Sequence, residues 1–167
     1  MATPEPEVIS LEVAGSEVRL RWSPLAAPGD AGPAAPAWEV ASQPDWGRLE
    51  GIRLVSAVFE DGAALGVAAI RPRDARGHGD DVVAARYLDA DGIQTATSDA
   101  LVSVEYDPGR RPRRVGIELW PDADSAPLRI AANRESYEPA TDDGVVPMNF
   151  RLDGVAGSGT YEIIRQS

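Results

Sequence analysis

Asp-Gly pairs punctuate this chain at Asp61-Gly62, Asp91-Gly92, Asp143-Gly144 and Asp153-Gly154, and Asp107-Pro108-Gly109 adds a further turn. Each lies between runs rich in apolar and β-branched residues. Asp-Gly is a preferred connection for a two-residue hairpin, because both central residues need positive φ and these two tolerate it. The spacing predicts hairpins over 52–59/64–71, 82–90/93–97, 99–106/113–120 and 145–152/155–165, with another over 7–13/16–22 about Gly15. A strand near 127–134 lies between two of them. The one helical competitor is 63–70, AALGVAAI, where alanine favours helix and the hairpin pairing favours strand.

Roughly ten strands joined by short turns make a long meander, and an open sheet of that length curls or closes. The expected fold is all-β: a closed antiparallel up-and-down barrel of lipocalin or calycin type, with a two-sheet sandwich as second choice. The 167 residues suit one such domain over 1–167. Residues 24–37, PLAAPGDAGPAAPA, break the pattern, since proline cannot serve a central ladder. They read as a long loop, either a mobile linker or a lid over a barrel mouth.

Two-residue turns allow the register to be read outward. In the last hairpin Leu152 faces Val155, Phe150 faces Gly157, Met148 faces Gly159 and Val146 faces Tyr161. That apolar face contains two glycines, which either leave open volume for a ligand or relieve crowding at a barrel corner. In 52–59/64–71 the same rule puts Leu54, Val58, Leu65 and Val67 on one face and Val55, Ala57, Phe59 and Ile70 on the other. A pair apolar on both sides is buried on both sides. Its small residues would thin the wall and permit a cavity. In 99–106/113–120, Val102, Val104, Val115, Ile117 and Leu119 share the core face, and Glu105 lies opposite Arg114 as an ion pair. Glu118 and Trp120 share the second face with Leu101. If that face points inward, Glu118 is a buried carboxylate suited to general-acid work; otherwise it is a surface group.

Composition narrows the chemistry. A net charge of -11 argues against a nucleic-acid partner, because phosphate binding needs a basic footprint. No apolar run approaches the roughly 18 residues of a spanning helix, so no membrane insertion is expected. No secretory signal is visible in MATPEPEVIS and no cysteine occurs, which makes a cytoplasmic location the expectation. Every basic residue is arginine, so lysine Schiff-base catalysis is excluded. The single histidine, His78, sits in RGHGDD and reads as a loop residue. No phosphate-binding glycine loop, nucleophile elbow or calcium loop is present. What remains is aromatic and carboxylate chemistry, which requires no cofactor and no metal.

Trp46 and its preceding Asp45, the stretch GIRLVSAVFEDGAALGVAAIRPR at 51–73 and VVAARYLDADG at 82–92 resemble actinobacterial members of the AttH-like, carotenoid hydratase-like group of lipocalin-like proteins. More distantly, that group includes fungal pericyclases of decalin formation. LVSVEYDPGRRPRRVGIELW at 101–120 and RLDGVAGSGTYEII at 151–164 resemble later strands of the same module. The resemblance implies a calycin-type barrel and cofactor-free chemistry on a hydrophobic substrate. Family members often carry Asp-His-Ser-Trp-Gly shortly before Arg-Asp-Trp. Here PAWEVASQPDW keeps Trp38, Asp45 and Trp46 without the Asp-His pair. Members usually have two barrel domains, and this chain has room for one.

The leading functional expectation is a cofactor-independent cyclase or hydratase acting on a hydrophobic polyketide or isoprenoid in secondary metabolism. Glu118 and Tyr106 are the candidate catalytic acids. Leu54, Val58, Phe59, Trp120, Met148, Phe150 and Tyr161 are the candidate cavity lining. A binding protein for an apolar small molecule, and a filled barrel serving as an interaction domain, stay open. So does a homodimer through an exposed strand edge.

Overall fold

The structure, a computed structural model of the chain, describes residues 5–26, 35–109, 111–122, 124–134 and 145–165. It contains β1 (Glu7–Val13), β2 (Ser16–Ala26), β3 (Ala35–Val40), β4 (Leu49–Phe59), β5 (Ala64–Pro72) and β6 (Val82–Leu88). These are followed by β7 (Gln94–Thr97), β8 (Ala100–Tyr106), β9 (Pro112–Leu119), β10 (Leu128–Arg134), β11 (Val145–Leu152) and β12 (Val155–Ile164). One short 3-10 turn covers His78–Asp80. No helix among the described residues is long and apolar enough to cross a membrane. The segment 63–70 is strand, so pairing and burial override the helical preference of its alanines.

Strands β4 to β12 form one antiparallel sheet in the order β7-β6-β5-β4-β12-β11-β10-β9-β8. The meander returns on itself where β12 pairs with β4. One seam is left, between the short β7 and β8, so the sheet is nearly closed into a barrel. The first hairpin forms as expected, with Val13 opposite Ser16 across Ala14-Gly15, but it does not join the barrel. With β3 it makes a separate sheet, β1-β2-β3. The third strand occupies 35–40, part of which was expected to be loop. Proline is tolerated there because β3 is an edge and the β2–β3 register breaks between Ser23 and Ala26. Residues 27–34, the centre of the expected linker or lid, lie outside the described residues, as does Asp143-Gly144.

Turn length decides which residues face inward. The 153–154 connection is the two-residue turn, with Asp153 at φ 50° and Gly154 at 82°, and its register matches the expectation from Leu152–Val155 to Val146–Tyr161. The 61–62 connection differs. The Phe59 amide donates to the Ala63 carbonyl at 2.8 Å, which leaves a three-residue loop, Glu60-Asp61-Gly62, with Gly62 at φ 92°. Three-residue loops ending in a left-handed residue are the next commonest hairpin connection. The extra residue shifts β5 by one position and exchanges its faces. Val55 therefore lies opposite Val67 and Ala57 opposite Leu65.

Two cores result. Inside the barrel, Val55, Ala57, Phe59, Leu65, Val67, Met148, Phe150, Leu152 and Tyr161 pack with the core face of β9 and β10. Outside it, Ile52, Leu54, Ala68 and Ile70 pack against Val13, Val18 and Leu20 of the first sheet. Trp22 docks this sheet. It is 1% exposed, and a Cβ on Gly66 would lie 2.3 Å from its ring. Burying a tryptophan removes roughly 200 Å² of surface, worth about 5 kcal/mol at 25 cal/mol per Å². The small residues Gly66, Ala68 and Ala84 thus form a seat for the outer sheet rather than a thin wall around a cavity. Arg86 of β6 adds an ion pair to Glu7 of β1 at 2.7 Å.

Candidate functional site at the barrel mouth

On β4 and β5 the inward positions run apolar from the hairpin and then change character. After Phe59, Ala57 and Val55 comes Arg53, and after Leu65, Val67 and Ala69 comes Arg71. Arg53 lies opposite Ala69 and Arg71 opposite Gly51, so the two guanidinium groups are diagonal neighbours on the inner face. A charge at such a place needs a partner. Asp81, one residue before β6, supplies it, with a side chain 3% exposed beside Arg53 at 7%. Arg53 donates through an Nη atom to Oδ2 of Asp81. Arg71 donates from Nε to Oδ1 at 2.9 Å and from an Nη atom to Oδ2 at 3.3 Å. The hydrogen bond to Asp81 also pushes the Arg71 pKa up.

Next to this cluster stand two phenols. Tyr161, inward on β12, is completely buried. Tyr106, at the end of β8, is 43% exposed, and the two hydroxyl oxygens are 3.3 Å apart. Burial first, and the Tyr106 hydroxyl second, push the Tyr161 pKa well above the usual phenol value, so this proton is firmly held. The turn after Tyr106 is braced. Asp107 accepts from the Arg111 amide at 3.0 Å and from Arg134 at 2.9 Å, contacts that hold its pKa below the ordinary carboxylate value.

Of these groups Arg53, Arg71 and Tyr106 line an opening of about 170 Å³, together with Glu50, Gly51, Val104, Ile163 and Arg165. Beneath it the barrel is packed. Phe59 and Phe150 meet edge to face at 6.5 Å, and Met148 and Phe150 are 1% and 2% exposed. Gly157 and Gly159 create no volume. A Cβ on Gly159 would lie 1.9 Å from the Ser56 carbonyl oxygen, and one on Gly157 would lie 2.6 Å from the Phe59 ring. These glycines permit close approach of β12 to β4.

The expected site residues are therefore divided. Tyr106 and Tyr161 come together at the mouth. Phe59, Met148 and Phe150 point inward but belong to the packed core. Leu54 lies under the outer sheet. Val58, whose strand neighbours alternate with the core residues Ala57 and Phe59, is half-buried on the outer side of β4. The three-residue turn places Leu65 and Val67 with Val55 and Ala57 on the inner face, and leaves Leu54 and Val58 on the outer one. Trp120 follows β9, is half-buried and lies outside the interior cluster. Glu118 is on the outer face, opposite Leu101 and Arg129, in a surface depression of about 320 Å³ above Gly116. Glu105 does lie opposite Arg114, but a bulge at Arg113 brings that residue into the ion pair instead, at 2.6 Å.

Sequence reasoning missed Arg53, Arg71, Asp81 and Arg165. The signal was present: an arginine between Ile52 and Leu54 in a strand apolar on both faces must be buried on one of them. Among the described residues, no group of three or more histidine, aspartate and glutamate side chains is placed to hold a metal.

The opposite end of the barrel has another character. Its turns carry Glu60, Asp61, Asp89, Asp91, Asp99, Asp122, Asp124 and Asp153, with no arginine among their described residues. A shallow depression of about 80 Å³ lies there beside Phe59, Tyr87 and Leu152. Burial first, and then Asp61, Asp89 and Asp153, raise the Tyr87 pKa.

No family model matches the chain, and no curated protein does. Among solved structures, the chain is similar to a protein from Nitrosomonas europaea provisionally called AttH, with a TM-score of 0.60 and 18% identity over 89% of this chain. This likeness is one of fold. The chain spans about half of that structure, 52% of its length.

Proposed function

We propose that the barrel mouth is a catalytic site of a cofactor-independent cyclase or hydratase, acting on an unsaturated carbonyl compound of polyketide or isoprenoid type. The observation that carries this reading is the pair of phenols at the opening, one buried and one exposed, 3.3 Å apart. With Tyr161 donating to the Tyr106 oxygen, the Tyr106 proton is directed to whatever occupies the opening. Chained hydrogen bonds reinforce one another in a low-dielectric setting. Donation to a conjugated carbonyl withdraws electron density from the alkene. That favours attack by water at the distal carbon, or ring closure by a diene folded against the wall. Either reaction leaves the protein unchanged and consumes no cofactor. The packed interior limits the site to the reacting end of a substrate, with the remainder of the molecule outside the rim. The same packing favours a second reading, in which the mouth binds such a compound without turnover.

Incubation with a panel of acyclic polyenones, read by chiral chromatography and mass, separates the outcomes: an isomer of unchanged mass reports cyclisation, and a product heavier by one water reports hydration. Tyr106→Phe should lower the rate by about 100-fold, the usual effect of losing one such donor. Glu118→Gln, on the outer face, should leave it unchanged. Turnover that survives Tyr106→Phe and fails with Glu118→Gln would move the chemistry to the outer depression. Binding without product in any variant would establish the second reading.

A further inference from the structure

We infer that the free edge of β1 is a self-association surface, at which a second copy of this chain adds its own β1 antiparallel. The surface belongs to the outer sheet and stands apart from the reading of the mouth. β1 is one edge of the sheet β1-β2-β3, and its turn decides which backbone groups are free. Val13 and Ser16 close a two-residue turn in which Ala14 and Gly15 have φ 51° and 79°. Val13 therefore exchanges both ladder bonds with Ser16, and by alternation Leu11, Ile9 and Glu7 also bond to β2. Val8, Ser10 and Glu12 direct their N–H and C=O groups outward, and among the described residues no strand pairs with them. An open edge of this kind is a template for another strand. The remaining edges are blunted. β7 has only 4 residues, β3 contains Pro36 beside a register break, and the turn His78–Asp80 lies beside β8. β1 runs for 7 residues without proline, and its Val8 is 53% exposed.

The strand sequence EVISLEV suits a second copy of itself. Two-fold pairing centred on Ser10 uses the whole strand: Ser10 meets Ser10, Val8 meets Glu12, Ile9 meets Leu11 and Glu7 meets Val13. The apolar row of Ile9 and Leu11 continues across the joint, and no glutamate faces another. Parallel pairing in register would instead set Glu7 beside Glu7 and Glu12 beside Glu12, an arrangement that like charges oppose. Glu7 is also held to the barrel by Arg86 at 2.7 Å, which fixes that end of the edge. The contact is isologous, so it closes at a dimer and leaves no further β1 edge open. One strand pair buries little surface, which makes the association reversible and weak.

Sedimentation equilibrium of the full chain between ~10 μM and ~1 mM, the range of weak association, tests this. The mass should rise from 17.7 kDa towards twice that value with concentration. It should rise further at ~0.5 M salt, which screens the repulsion between two chains of net charge -11. Ser10→Pro removes one outward N–H and leaves the β1–β2 ladder whole, as an edge strand allows. It should weaken association about tenfold or more, because each copy loses a bond, while the thermal midpoint stays close to that of the parent chain. The chain has no cysteine, so introduced ones report the register. Under mild oxidation a mixture of Val8→Cys and Glu12→Cys chains should cross-link much faster than either chain alone. A mass of 17.7 kDa at every concentration would overturn the inference. So would a dimer that Ser10→Pro leaves intact, or cross-linking no faster in the mixture than in the separate chains.

Discussion

The two ends of the barrel are closed by the same nine strands and solve the problem of charge in opposite ways. At the turn end, acidic side chains stand in water, and their hydrogen bonds are local: Asp61 accepts from the Ala63 amide at 3.0 Å, and Asp122 accepts from the Asp124 amide at 2.9 Å. At the mouth, charge is carried into the barrel wall, where Arg53 and Arg71 converge on a buried aspartate. Exposed charges are screened and individually weak, whereas a buried pair is costly to break and holds its members in one geometry. The difference teaches where to look for function. A group that is expensive to bury and rigidly held has been positioned, and the mouth is where the described residues bring such groups beside an opening.

The largest expected contrast between the ends is in stability. Asp81→Ala removes the buried carboxylate that two wall arginines share and should cost about 3–5 kcal/mol, the range for removing one member of a buried pair. Asp61→Ala at the other end removes one part-buried turn bond to the Ala63 amide and should cost about 1 kcal/mol. Urea unfolding of the two variants measures both, and equal losses would erase the distinction.

A smaller contrast lies between the tyrosines. The folded pKa of Tyr161 is raised above the ordinary phenol value of 10.0. The unfolded chain therefore releases this proton at a pH where the folded chain still keeps it. Stability from this group is complete below about pH 10 and falls as pH rises further, with a limiting slope of about 1.4 kcal/mol per pH unit. Tyr161→Phe should flatten that alkaline fall. Tyr87 shifts in the same direction but is only partly buried, so Tyr87→Phe should change the profile less. Unfolding midpoints between pH 8 and pH 11 (a range set by the ~10 reference value) provide the comparison.

The smallest contrast concerns two aspartates whose pKa values are both lowered. Asp107 is held by the Arg111 amide and then by Arg134, whereas Asp122 is held by Ser125 and the Asp124 amide of its own turn. Arg134→Gln should raise the Asp107 pKa towards 3.8 and leave Asp122 unmoved, which carboxyl-detected resonance titration resolves. Because both folded values are depressed, the stabilising contribution of each is present above the unfolded value and is lost as pH falls through the folded one.

Much of the fold was legible because Asp-Gly marks reversals and alternation marks strands. The last hairpin could be read to the residue, since Asp153-Gly154 is the two-residue turn that the pair suggests. The same pair at Asp61-Gly62 sits in a three-residue loop, and nothing local distinguishes the two cases. Read as a two-residue turn, the pair put Leu65 and Val67 on the face of Leu54 and Val58, and set Arg53 and Arg71 on opposite faces, whereas the observed register puts both arginines on one face. Strand β3 was obscured by its proline- and alanine-rich surroundings. Its edge position, which makes those residues tolerable, is a tertiary fact. Tyr106 was singled out as a phenol among the aromatic and carboxylate groups left by elimination, but its approach to Tyr161 joins positions 55 residues apart and required the barrel to close.

The central claim is that Tyr106 donates a hydrogen bond to a ligand carbonyl at the mouth. Difference infrared spectroscopy of a carbonyl-labelled polyenone bound to the chain tests it most directly. The account predicts a carbonyl stretch lowered on binding to the parent chain, and a stretch close to its value in apolar solvent when the same probe binds Tyr106→Phe. An unshifted carbonyl in the parent chain, or an equal shift in both proteins, would contradict it.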